Sequence, residues 1–318
     1  LSWRVLINLV PEFLSVIDSD EPEAAYARYR AAHRPVLDAY WRNYVLDPDS
    51  AQAHKVVLDA LNAGRDDLRA VMASHNLEAI ADDAAAAAAE LLQLDRPADV
   101  YLMVGMGAAN AGELVIDGRG AAFICVEHFT GRPNAETYGM GLAPELLPVW
   151  LAHEIAHVVR YTSPTSASEI RRLVDDNGGY YDYWVTGSRA TLRELLVNEG
   201  LAVHAAQRVA PGFAAADYFG YARRQYNRLR EMEAQLRRIT APELDFRGLG
   251  LRLRYLTGGM SPSARLVNGR VLPERSGYYL GWRMAEAIVN QLGIAAALRA
   301  SAEETTAAEE ASRGVRTA

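Results

Sequence analysis

The stretch Leu151-Ala152-His153-Glu154-Ile155-Ala156-His157 constrains this chain more than any other part of it. On a helix, residues four apart lie about 40° round and about 6 Å along the axis, so His153 and His157 can turn both imidazoles toward one metal ion. Glu154 falls on the flank of that face, where it can accept a proton from metal-activated water without taking a ligand position. With seven histidines in 318 residues, a pattern of this kind arises by chance about 0.01 times per chain. The flanks fit a helix: Leu146, Leu147, Val149, Trp150, Leu151, Ile155, Val158 and Val159 recur at helical spacing, and Pro144 suits a first turn. The spacing predicts this helix over about 143–161, with zinc as the expected metal.

Catalytic zinc takes three protein ligands and keeps one position for water. The metzincin continuation is absent, because His157 is followed by Val158, Val159, Arg160, Tyr161 and Thr162. A second apolar-periodic helix, expected over about 188–207, carries Glu199 among small and apolar neighbours, which makes Glu199 the best third ligand. His204 is its competitor. The two stand about 140° apart on the helix, so they are not expected to face one ion together. Gly200 and Ala202 are expected to let this helix come close to the motif helix.

Three segments together, His153–His157, Asn198-Glu199-Gly200-Leu201-Ala202 and Gly277-Tyr278-Tyr279-Leu280-Gly281-Trp282-Arg283, resemble the gluzincin-type zinc metallopeptidases. The likeness is to a poorly characterised bacterial group of predicted zinc-dependent proteases with HExxH, EGLA and GYxxG segments, and it spans roughly residues 100–292. The resemblance implies His153, His157 and Glu199 as zinc ligands, Glu154 as general base, a downstream Tyr or His at the oxyanion, and a peptide or protein substrate. Tyr278 and Tyr279 are the candidates for the oxyanion. Adjacent helical residues point about 100° apart, so only one can face the metal; Tyr279 is placed first.

Composition narrows the alternatives. Apolar residues make up 50% and charged residues 23%, as in an ordinary soluble enzyme. No apolar run is long enough for a membrane span. The opening Leu1–Val10 is a poor signal peptide, so a cytoplasmic location is expected, although the chain does not begin with Met and a removed segment stays open. Cys125 stands alone, which excludes an internal disulfide framework and a multi-cysteine zinc site. The net charge of −7 argues against nucleic acid as a partner. Pairs such as Arg223-Arg224, Arg237-Arg238 and Arg252-Arg254 are expected on solvated helix faces.

Along the chain, residues 1–96 are expected as a helical N-terminal region, and 97–300 as the catalytic region. Its small sheet, within 97–127, is drawn from Val100–Val104, Glu113–Ile116 and Ala121–Val126. Residues 301–318, rich in Ala, Glu and Thr without an apolar stripe, are expected as a frayed helix or a disordered tail. The expected fold is α+β, a predominantly helical zincin-like (gluzincin) fold with a small β-sheet before the metal-binding helix. By likeness to zincins, Phe123–Glu127 is expected as an edge strand that pairs with extended substrate, with Val126 and Glu127 as substrate contacts. The loop Asn177–Trp184 is a candidate lid or wall. Two rival functions share the ligand set: a non-haem iron oxygenase, which has no general requirement for Glu154, and an inactive, metal-stabilised binding protein, in which Glu154 would be dispensable.

Overall fold

The computed structural model describes residues 4–316. Residues 1–3 and 317–318, the outermost parts of the expected N-terminal region and tail, lie outside the described residues. Strands β1 (Arg4–Asn8), β2 (Ala98–Met103), β3 (Ala111–Ile116) and β4 (Arg119–Cys125) form one sheet in the order β1-β2-β4-β3. β1 and β4 run parallel to β2, with Leu6 opposite Val100 and Leu102 opposite Ile124, while β3 returns antiparallel with Glu113 opposite Ala122. Asp117 and Gly118, both at positive φ, make the β3–β4 turn, the backbone shape that a tight hairpin requires. The class is therefore α+β, mostly helical with a small sheet.

Residues 4–8 pair across the long helical excursion between β1 and β2, a contact that no local pattern announces. That excursion ends in the helix Leu77–Leu91, which packs on the motif helix, Leu147–Thr162. The motif helix also lies on β3 and β4, and at Gly120 a Cβ would come within 2.3 Å of Val158 Cγ1, so a side chain there would lift the helix off the sheet. Enclosed on all sides, it is buried from Val149 through Tyr161 instead of showing one wet face.

The glutamate helix, Leu192–Val209, runs between the motif helix and the tyrosine helix, Ser276–Leu292. Thr191 caps it by accepting from Glu194 N at 3.2 Å. Gly200 faces a different neighbour from the one expected. A Cβ on it would lie 2.0 Å from the Gly281 carbonyl carbon, so the small residue permits close packing against the tyrosine helix and not against the motif helix. The motif and glutamate helices are joined instead by the buried ion pair Arg160–Glu194, 2.8 Å apart.

Residues 302–316, within the expected disordered tail, form a helix packed on the tyrosine helix, with Ala302, Thr305 and Thr306 buried. Ser301 and Glu304 supply its capping box: Glu304 N donates to Ser301 Oγ at 3.1 Å and Ser301 N donates to the Glu304 carboxylate at 2.7 Å. Small residues suffice for its buried face because it lies flat on a neighbour. Among the described residues, no helix is long and apolar enough to cross a membrane.

Candidate metal centre

Helical spacing does for His153 and His157 what the sequence requires: both imidazoles leave the motif helix on one side, toward the glutamate helix. Their Nε2 atoms lie 3.2 Å and 3.5 Å from the same oxygen, Glu199 Oε2. Ligands at 2.0–2.1 Å from a tetrahedral ion are separated by about 3.3 Å, so these two spacings are those of donors that share one zinc-sized ion. All three ligand atoms lie within 4.8 Å of one another, and all three residues are buried. The Nδ1 atoms of both histidines have no hydrogen-bond partner, leaving Nε2 as the nitrogen engaged at the centre.

Electrostatics fit the same arrangement. Burial works against a charged imidazolium at both histidines and lowers His153; at His157 the Glu199 carboxylate overrides burial and pushes the pKa up to about 9. Burial would raise Glu199, but the His157 charge and the hydrogen bonds from both imidazoles hold it far below the usual carboxylate range. Glu199 is thus an anionic donor at any ordinary pH.

Glu154 lies in the same cleft and shares a hydrogen bond with Glu113 of β3. Burial, then the Glu113 charge, pushes Glu154 well above the ordinary carboxylate range. Glu113 is fixed from both sides: Tyr44 OH lies 2.8 Å from its Oε2, and Tyr161 donates to its Oε1 at 3.1 Å while accepting from Asn198 Nδ2 at 2.9 Å.

Of the two tyrosines, the structure brings Tyr278 to the centre and takes Tyr279 away. The Tyr278 ring stacks on His153 at 6.1 Å and lines the cleft. Tyr279, the first choice from sequence, donates to Glu233 at 2.8 Å and packs with Phe219, Tyr226 and Trp282. The one-residue step turns it about 100° round the helix, away from the cleft. His204, the competing ligand, is also directed elsewhere, to the Trp282 carbonyl at 2.9 Å.

The expected substrate strand is also corrected. β4 is internal, flanked by β2 and β3, and Val126 and Glu127 are buried in the short turn that follows it. Glu127 faces Gly105 N, 2.8 Å away, not the cleft. The sheet edge on the cleft side is β3, where Tyr44 OH already accepts from Glu113 N at 3.1 Å and Tyr181 N donates to Val115 O at 3.0 Å. In the loop Asn177–Trp184, Tyr183 and Trp184 form part of the cleft wall.

Sequence reasoning missed Glu113, Tyr44, Trp150, Arg252 and Arg275, all of which line this cleft of about 320 Å³. Arg252, expected on a solvated face, is 5% exposed. The available signals were a lone acid inside an apolar strand and, for Arg252, an arginine alternating with leucines in Leu249–Leu256.

A buried two-histidine, one-glutamate cluster that could hold a metal, set in a mostly helical α+β fold, defines the class of the site. Residues 182–307, which include Glu199, Arg252, Arg275 and Tyr278 but not the histidine pair, match a family described as predicted Zn-dependent protease (DUF2268). No curated protein and no solved structure matches the chain.

Proposed function

We propose that this chain is a zinc-dependent peptidase in which His153, His157 and Glu199 hold the metal and Glu154 is the general base. The observation that carries this reading is the convergence of both Nε2 atoms on Glu199 Oε2, with Glu154 in the same cleft. Zinc bound there would supply Lewis acidity, lowering the pKa of a coordinated water and favouring the ionised form of Glu154. Glu154 would accept the proton of the attacking water and return it to the leaving amine, with Glu113 holding its carboxyl in place. Tyr278 would donate to the developing oxyanion. Burial and the charges of Glu199 and Glu154 keep its phenol protonated, as a donor must be.

The family description supports hydrolysis of peptide bonds, and the Glu154–Glu113 pair favours it over an iron oxygenase, which has no task for a paired carboxylate beside its first histidine. The test is mass spectrometry of a peptide mixture after incubation with the wild-type chain and with Glu154→Gln. Chelator-sensitive cleavage is expected from the wild type, falling by roughly 10²–10⁴-fold in the variant at unchanged metal content. Undiminished cleavage by Glu154→Gln, or oxidised products with intact peptide bonds, would overturn the reading.

A further inference from the structure

Two arginines, Arg252 and Arg275, line the cleft that holds the histidines, and among the described residues neither forms an ion pair. Several other arginines in the fold are matched to acids, among them Arg160 to Glu194, Arg237 to Glu309 and Arg254 to Glu243. Arg252 donates only to neutral oxygens, Tyr183 O and Tyr181 OH, both at 3.0 Å, and lies 3.5 Å above the Tyr183 ring. Its Nε has no partner, although the residue is only 5% exposed. A buried charge without a counter-ion is costly, and a guanidinium with an unused donor suits a planar anion.

Arg275 is held by its backbone. It takes a positive φ of 51°, which a non-glycine residue adopts at a cost, and its carbonyl accepts from Tyr221 OH at 2.5 Å. This conformation starts the tyrosine helix and sets the guanidinium 4.3 Å from the centre of the Tyr278 ring. At about 320 Å³ the cleft is at the small end of ligand pockets, so an anion on these arginines and a bond over the histidines must belong to one short segment.

We propose that Arg252 and Arg275 recognise a carboxylate of the substrate, so that the proposed peptidase acts on peptides bearing a free carboxylate close to the scissile bond. This rests on the peptidase reading for what happens next, but the binding step stands on the arginines alone. Two sources share the chemistry: the C-terminal carboxylate of the peptide, and an Asp or Glu side chain.

The test uses metal-loaded Glu154→Gln chain, so that probes are bound and not consumed, and calorimetry with three N-acetylated tripeptides: a neutral sequence as free acid, the same sequence as C-terminal amide, and an amide with glutamate at its last position. One or both carboxylate probes are expected to bind on the order of 10–100-fold more tightly than the neutral amide. Preference for the free acid identifies the terminal carboxylate, and preference for the glutamyl amide identifies the side chain. Adding Arg275→Gln should abolish the preference, and Arg252→Lys, which keeps the charge but loses the fork, should weaken it. Equal binding of all three probes, no binding, or full preference retained in Arg275→Gln would overturn the inference; the comparison of probes needs no arginine variant to fold. Cleavage of neutral amides by the wild type without such preference leaves the peptidase reading intact and removes this one. Carboxylate binding with no cleavage of any peptide does the reverse.

Discussion

Tyr278 has His153 as a stacking partner and Arg275 beside its ring, and these contacts give its phenol a place in the cleft that Tyr279 lacks. Tyr278→Phe should therefore lower turnover by roughly 10²–10³-fold at unchanged zinc content, the scale of losing one oxyanion donor. Tyr279→Phe, which loses only the bond to Glu233, should leave turnover nearly unchanged; comparing initial rates of the two variants decides between them, and the reverse order would contradict the assignment. His153 and His157 were legible as a pair because a helix fixes the angle between its own residues, and Glu199 as the lone acid among small and apolar neighbours on a later helix. Glu113, Arg252 and Arg275 were not, because a strand, a short helix and a left-handed backbone turn bring them to the cleft, and none of those placements is set by local spacing.

At the scale of elements, the position of Glu199 depends on how closely its helix can approach the tyrosine helix. A Cβ at Gly200 would meet Gly281 backbone, and one at Gly281 would lie 1.7 Å from Leu196 O. Gly200→Ala should thus destabilise the chain by about 1–3 kcal/mol or more, through forced separation of two backbones, and also weaken metal binding. Denaturant unfolding with and without zinc checks this; a variant as stable as wild type would show that the helices have room. The runs that became β2, β3 and β4 were readable from their apolar β-rich composition. Strand order was not: β4 reads as an edge by likeness to zincins, being the last strand before the motif helix, whereas β3 folds back outside it and β1 joins from the far end of the helical excursion. The C-terminal helix was misread as a tail since its packing face consists of alanine and threonine, which leave no apolar stripe.

Over the whole molecule, buried charge makes stability depend on pH away from the cleft as well. Burial pushes the Glu127 carboxyl from 4.5 up to about 7, against the opposing charge of Arg65. A raised acid binds its proton more tightly when folded, so its stabilising contribution is complete below about pH 4.5 and is lost as pH rises through 7. Glu127→Gln, whose amide oxygen can still accept from Gly105 N, should gain stability relative to wild type across that window, by on the order of 3 kcal/mol. Unfolding curves at about pH 5 and pH 8 measure it, and a difference independent of pH would show that Glu127 is not held in this way. The central claim is that His153, His157 and Glu199 form one metal centre, and elemental analysis of the purified chain beside Glu199→Ala and His204→Ala tests it most directly. The account predicts one zinc per chain in wild type and His204→Ala, and strongly reduced zinc in Glu199→Ala; a wild-type chain without zinc, or Glu199→Ala retaining it in full, would contradict it.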